Sequence, residues 1–419
     1  MSTINWTPTL RDFIQSHIND DTAGLLLAAR RYADVDVPFA VEQIKARKRL
    51  KGKLPEWYAN PDLIMGGRVP AEQCSSEQTA RYKRSIIKSL ELRDERLELK
   101  SLCDMTGGMG VDFWYMSEGM EQAIYTERNE TLCEIARHNF KILGRESVIV
   151  RCGDGRELPI PSVDIIYLDP ARRAGDGSRV YAIEDCEPNV IEWQDELLQH
   201  AKMVLVKLSP MVDLTDVLRK LHNVTDIYIV GVKNECKEVL VKATRPHPLW
   251  GTGGTEGCRS GNEVQIHCVD FFADRKIEYA YIYNSSGSAH RVSPPPLGVG
   301  GLLYEPDVTL MKAQAFGSLC QRFPVHQLDY ETHLMTSDEF IADFPGRIFE
   351  VEELIPFSSK MLKRLKNEMP QANIATRNFP LSADELRKKT GIKDGGEVYL
   401  FGAKVKDMGQ MLLKCRKKS

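Results

Sequence analysis

The chain has 419 residues and a formal net charge of −3, with 42% hydrophobic and 27% charged residues, the composition of an ordinary soluble protein with more than one domain. No apolar run reaches the ~18 residues of a membrane span, and the opening MSTINWTPTLRDF has no basic-then-apolar secretion pattern. The ten cysteines are scattered, without a CxxC pair or a close Cys/His cluster, which argues against structural zinc and a disulfide framework, so a cytoplasmic protein without a metal is expected.

In chain order, residues 1–96 read as mainly helical, with apolar residues at helical spacing in Ala23–Arg30 and Phe39–Arg47. Lys53–Pro70, rich in Pro, Gly and aromatics, reads as a loop, and Ser75–Leu90 as a helix capped by Ser75 or Ser76. Within this block Lys45–Lys53 holds six basic residues in nine. Residues 1–100 carry +3 and residues 346–419 carry +7, which leaves −13 on the middle. Basic flanks around an acidic middle suit a polyanion held by the appendages, while a solvated helix face and a basic tail account for the same residues equally well.

From about 97 to 244 strand and helix patterns alternate. The strand runs are Leu97–Met105, Gln122–Thr126, Ser147–Cys152, Val163–Leu168, Met203–Leu208, Asp226–Val232 and Val239–Thr244. Helices fit around Phe113 and over Glu130–Leu143, Asn189–His200 and Leu214–Leu221. Such alternation implies parallel strands covered on both faces. The last two runs are too close for a crossover helix, so they should pair antiparallel. A Gly/Thr/Pro-rich loop, Arg245–Glu263, precedes strand-like Val264–Phe271 and Ile277–Tyr283. Pro294–Gly301 marks another break, and Asp307–Phe323 reads as one helix behind Pro306. The last 70 or so residues give a short α/β pattern, with Ser382-Ala-Asp-Glu385 as a capping box, Gly391 as a C-cap and Val398–Lys404 as a strand.

Two segments carry the chemistry. The first, Asp104-Met-Thr-Gly-Gly-Met-Gly110, follows a buried strand run and opens a helix. Ligands in open parallel sheets sit beyond the strands' carboxyl ends. Gly107, Gly108 and Gly110 admit a ligand close to the backbone, and the following helix start suits a carboxylate. Glu127, with Arg128 beside it, closes the next strand at the place where a carboxylate grips ribose hydroxyls. Asp154, with Gly155, follows the third strand and can accept from an adenine amino group. Taken singly, either acid also fits a helix cap or a solvated surface; their succession at three strand ends is what points to a nucleotide-like cofactor. A dinucleotide fingerprint would need a third glycine at 113, where Phe113 stands. The segment resembles motif I of class I S-adenosylmethionine-dependent methyltransferases, in the form that keeps only the last two glycines, with Asp104 leading and Thr106 where the first glycine often sits.

The second segment is Asp169-Pro-Ala-Arg-Arg173, after Val163–Leu168. It stands at the position of motif IV, which in amino-methylating members reads Asn/Asp/Ser-Pro-Pro-aromatic. Methyl transfer from a sulfonium needs in-line placement, worth ~7–11 kcal/mol, and relief of one proton, worth roughly a hundred- to ten-thousand-fold. An exocyclic amine has its lone pair delocalised into the ring, so acceptors for its N–H groups must aim it. Asp169 is assigned that role, with Pro170 fixing the turn. Ala171 and Arg172 replace the second proline and the stacking aromatic, so an Arg plane or another group must stack on the base. Arg173 suits a phosphate, and both arginines also suit surface ion pairs with Asp176, Glu184 or Asp185. Lys207, in Lys207-Leu-Ser-Pro210 at the fifth strand's end, either faces the site or is an ordinary strand-end lysine.

With these residues the chain resembles a bacterial family of class I methyltransferases that carry a small ferredoxin-like domain and a C-terminal THUMP-like domain. The supporting stretches are Ser75–Ala80, Asp104–Asp112, Asp169–Arg173, Asp185–Asn189, Lys207–Pro210, Cys236–Glu238, Tyr304–Asp307 and Arg377–Leu381. The resemblance implies an α/β class I (Rossmann-like) seven-stranded sheet at 97–272, a helical region at 1–96, a ferredoxin-like α+β domain at 273–345 and a THUMP-like domain at 346–419. It implies S-adenosyl-L-methionine as cofactor and, through the THUMP-like domain, RNA, ribosomal or transfer, as partner; the cofactor segment, Asp169-Pro170 and the basic C-terminal residues make the amino group of an RNA base the expected acceptor. A non-catalytic RNA-binding factor that keeps the pocket, or an enzyme acting on DNA or protein, stays open.

Overall fold

The structure is a computed structural model that describes residues 4–93, 98–172, 182–245, 263–283, 294–329 and 331–418. The chain opens with helices α1 (Pro8–Ser16), α2 (Thr22–Leu27), α3 (Val37–Leu50), α4 (Pro55–Ala59), α5 (Arg68–Gln73) and α6 (Glu77–Arg93). The stretch expected to be a loop at 53–70 therefore contains α4, which Pro55 starts at a position where a missing N–H costs nothing. Arg47 explains how the rest of that loop is held. It is 1% exposed and donates to the carbonyls of Asn60, Pro61 and Leu63. Its basic neighbours are also engaged: Lys48 with Asp20 O, Arg49 with Glu72, and Lys53 with the carbonyls of Ala71 and Glu72. These residues of the basic run thus brace the helices, and Arg47 does so from inside the core.

The main sheet contains the seven expected strands: β1 (Ser101–Asp104), β2 (Gln122–Glu127), β3 (Ile149–Cys152), β4 (Val163–Leu168), β5 (Ala201–Leu208), β6 (Val224–Val232) and β7 (Cys236–Thr244). Two more, β8 (Val264–Phe271) and β9 (Lys276–Tyr283), extend it to nine, in the order β9-β8-β6-β7-β5-β4-β1-β2-β3. β8 runs parallel to β6 and forms an antiparallel hairpin with β9. That hairpin joins residues on both sides of the boundary expected at 272. β1 pairs in parallel register with β2 and β4, and β4 with β5, so the carboxyl ends of these four strands share one edge. β1 and β4 are apolar along nearly their whole length because both faces are covered. Helices α7 (Val111–Met116), α8 (Glu130–Ile142), α9 (Val190–His200) and α10 (Leu214–Lys220) fill the connections. A core of Leu50, Trp57, Met65 and Ala80 packs against Met109, Val111 and Tyr115, which sets the first helices directly on the glycine turn. Among the described residues no helix is long and apolar enough to cross a membrane.

A second sheet holds β10 (Leu302–Pro306), β11 (His326–Gln327), β12 (Met335–Ser337), β13 (Gly346–Pro356), β14 (Asn373–Arg377), β15 (Val398–Val405) and β16 (Gly409–Lys418), in the order β11-β12-β10-β13-β16-β15-β14. The single helix expected over 307–323 is two, α11 (Val308–Lys312) and α12 (Phe316–Arg322), because Gln314 between them adopts a φ of 52°. Helices α13 (Ser359–Glu368) and α14 (Ala383–Thr390) follow, the latter with the expected capping box and Gly391 in the left-handed region. Buried Glu305 accepts from Arg347 and, at 3.0 Å, from Arg377. This pairing joins the stretches Tyr304–Asp307 and Arg377–Leu381.

Asp270, near the end of β8, is fully buried near the charge of Asp307, the N-cap of α11, and its Oδ2 accepts from the Asn234 N–H at 2.8 Å. Burial first, then the Asp307 charge, pushes its carboxyl up to about 7. The folded state therefore keeps a proton that the unfolded chain releases near pH ~4. The stability from this group is full below that pH and is lost as pH rises to about 7. Asp270→Asn is expected to melt higher than the parent at pH 8 and to match it at pH 4. Equal differences at both pH values, measured by circular dichroism, would contradict this.

Candidate active site

At the end of β1 the Asp104 carboxylate turns back on the loop it precedes. Its Oδ1 accepts from the Thr106 N–H at 2.9 Å and from the Thr106 hydroxyl at 3.3 Å. Burial, more than anything else, pushes Asp104 well above the usual carboxylate range, and the charges of Asp112, Asp169 and Glu127 add to the effect. The Thr106 hydroxyl in turn accepts from the Asp169 N–H at 2.6 Å. One side chain thus ties the glycine turn to the motif at the end of β4. The three glycines divide their work. A Cβ on Gly107 would lie 2.2 Å from the Tyr125 ring, so that position is set by packing. Gly110, with a φ of 77°, starts α7 over Phe140. Gly108 alone opens to space, with no atom nearer than 3.8 Å to an added Cβ, and its φ of 57° disfavours any side chain.

Glu127, at the end of β2, sits against this opening. Its two oxygens accept from the Gly108 and Asn129 N–H groups, each at 2.8 Å. Each oxygen retains a lone pair for a ligand hydroxyl. Asp154 is placed differently from its expected role. Its Oδ1 accepts from Arg156 N and Nε at 2.9 and 3.1 Å, and its Oδ2 from Nη2 at 2.7 Å. Those bonds hold its carboxyl down at about 2. Arg156 and Arg128 both reach Glu187, at 3.5 and 3.3 Å. Arg128 is therefore turned to Glu187, on the short ribbon that pairs Ala171–Arg172 with Cys186–Glu187. The Gly155 backbone lies close on the end of β1, 3.0 Å from Met105 O by its would-be Cβ.

Asp169 is half-buried behind buried Pro170. Its Oδ2 accepts from Lys207 Nζ at 2.5 Å, which brings the β5 lysine to the end of β4. The Arg172 side chain and Arg173 lie outside the described residues. Sequence reasoning missed the buried partners behind this pair. Asp112 on α7 meets Lys83 of α6 at 3.1 Å and Lys207 at 3.7 Å. It also accepts from Ser75 Oγ at 2.7 Å and Tyr167 Oη at 2.8 Å. Ser76, not Ser75, caps α6, through the Thr79 N–H. The available signal was the run Ser75–Lys83 itself, with two polar residues on the helix's apolar side. An open glycine, a carboxylate beside it and a second, lysine-paired carboxylate on the same edge fit a nucleoside cofactor next to a polar acceptor.

Comparison with known proteins bears on the whole chain. Residues 346–417 match the model of a THUMP domain-like family and residues 302–345 that of a ferredoxin-like domain. The solved structure of a Porphyromonas gingivalis W83 protein assigned as a methyltransferase is 34% identical, with 98% of each chain covered and a TM-score of 0.81. Uncharacterised S-adenosylmethionine-dependent methyltransferases from two strains of Mycobacterium tuberculosis, CDC 1551 and H37Rv, are 23% identical over 364 residues, 85% of this chain and 89% of theirs.

The Thr106 hydroxyl can be tested without any substrate. Thr106→Val removes the acceptor of the Asp169 N–H and is expected to cost ~1–3 kcal/mol of stability in urea unfolding, whereas Thr106→Ser restores most of it. A valine variant as stable as the serine variant would contradict the assignment.

Proposed function

The chain belongs to the bacterial methyltransferases that join a class I S-adenosylmethionine-dependent domain to ferredoxin-like and THUMP-like domains, and from that premise we propose that it methylates an exocyclic amino group of an RNA base. Its cofactor is S-adenosyl-L-methionine. When bound, the cofactor supplies an electrophilic methyl group on a sulfonium and leaves as a neutral thioether. Glu127 would hold the ribose hydroxyls, and the turn Thr106–Gly110 would lie against the rest of the molecule. The observation that carries the reading is Asp169, fixed through its N–H by Thr106 and through Oδ2 by Lys207. Its Oδ1 accepts one N–H of the amine and aims the lone pair away from the ring. As the nitrogen gains the methyl it gives up one proton, which Asp169 takes and passes to water. A carboxylate suffices as acceptor because the nitrogen becomes acidic only as the new bond forms.

RNA is supported by charge and by the match to a THUMP-like domain. Residues 346–419 carry a net +7. Lys360, Lys363 and Lys366 on α13 and Lys388 and Lys389 on α14 are exposed, and Leu365 and Leu386 of these two helices share one core. Such a face contacts phosphates without reading sequence. A paired target base would have to be flipped out or presented in a loop.

Incubation of the protein with tritiated S-adenosylmethionine and separate RNA, DNA and protein fractions tests the proposal. Label is expected in RNA alone. Asp169→Asn is expected to lower kcat by about a hundredfold or more with cofactor affinity nearly unchanged, while Glu127→Ala weakens cofactor binding about tenfold or more in calorimetry. Label in DNA or protein instead would overturn the acceptor, and no label in any fraction from a cofactor-binding protein would overturn the catalytic reading.

A further inference from the structure

Four charges alternate in one file from the interior to the active edge. Lys83, on α6, is 0% exposed, and its Nζ lies 3.1 Å from Asp112 Oδ1. Asp112 Oδ2 lies 3.7 Å from Lys207 Nζ, which is 2.5 Å from Asp169 Oδ2. Ser75 and Tyr167 donate to the same Asp112 oxygen and fix the carboxylate's plane. Burying a lysine and an aspartate in this way adds little stability, since a well-packed apolar pair does as well or better. The pair therefore calls for another reason.

We propose that Lys83 and Asp112 are positioning residues for methyl transfer, which hold Lys207 so that the Asp169 carboxylate keeps one orientation toward the acceptor amine. The inference rests on the methyltransferase reading and gives the α6 segment, with its Ser75–Ala80 stretch, a part in it. A lysine is a point charge on a flexible stem with three rotatable donors, and one carboxylate alone does not fix it. Asp112 supplies the second anchor from behind. Lys83 balances the Asp112 charge, so that Lys207 is drawn to Asp169 and not inward. The charge state of Asp112 agrees with this. Burial pushes it up, but Lys83, then Lys207 and the two hydroxyls, outweigh burial and keep it at about 2.

Asp112→Asn alone would strand a buried Lys83 and is expected to fold poorly, so the test uses Lys83→Met/Asp112→Asn, which removes both charges together. This variant is expected to melt near the parent and to bind S-adenosylmethionine with unchanged affinity, yet to lose at least tenfold in kcat while KM for the cofactor stays within about twofold. Lys207, released from its rear anchor, is expected to react with acetic anhydride about tenfold faster, read by mass spectrometry of its peptide. Tyr167→Phe, which keeps the ring and removes one donor to Asp112, should move both readouts the same way by about threefold. Parent-like kcat in both folded variants, or a parent-like acetylation rate for Lys207, overturns the proposal. Acetylation needs no acceptor, so it decides the positioning role even where the parent transfers no label to RNA and the RNA reading itself fails.

Discussion

The hydroxyl of Thr106 is the point on which the active edge depends. It donates to Asp104 and accepts from the Asp169 backbone, so the loops after β1 and β4 cannot move independently. The two motif segments lie on either side of that bond. The glycine turn lies on one side of it, with Glu127 pinned to the Gly108 N–H. The Asp169 carboxylate lies on the other, 2.5 Å from Lys207. Asp104 itself is buried and held well above the ordinary carboxylate range, first by desolvation. It acts as a latch for the turn.

The second constraint is electrostatic. Several carboxylates share a short length of sheet edge and the helix behind it, and three of them are paired with a cation: Asp154 with Arg156, Asp169 with Lys207, and Asp112 with Lys83. That pairing offsets the repulsion between carboxylates that lie close together. Glu187, between Arg128 and Arg156, carries the same logic to the ribbon that follows Asp169. The second sheet obeys it as well, with Glu305 shared by Arg347 and Arg377.

Much of the fold was legible because its signals are local. Most strands of the main sheet read as apolar runs, and seven strands were placed within a few residues. The capping box at Ser382 and the glycine stop at 391 needed only four or five residues of context. Motif I was legible from Asp104, Thr106, Gly108 and Gly110, since the turn chemistry is written in consecutive positions. Other features were hidden because they depend on partners far apart in sequence. Nothing near Lys83 names Asp112, and nothing near Asp154 shows that Arg156 will take both its oxygens. Arg47 sits in a run that looks like a solvated face, yet it is the buried donor that holds residues 60–63. The strand after residue 275 reads like the start of a new domain, and only its pairing with β8 reveals it as the edge of the main sheet.

The most direct test of the central claim is mass spectrometry of nucleosides from the RNA of matched strains with and without this gene. Loss of one base N-methylated nucleoside, restored by the intact chain, is the result expected from a carboxylate that aims an exocyclic amine at a sulfonium methyl. An unchanged set of methylated nucleosides, in a strain whose protein binds S-adenosylmethionine, would contradict it.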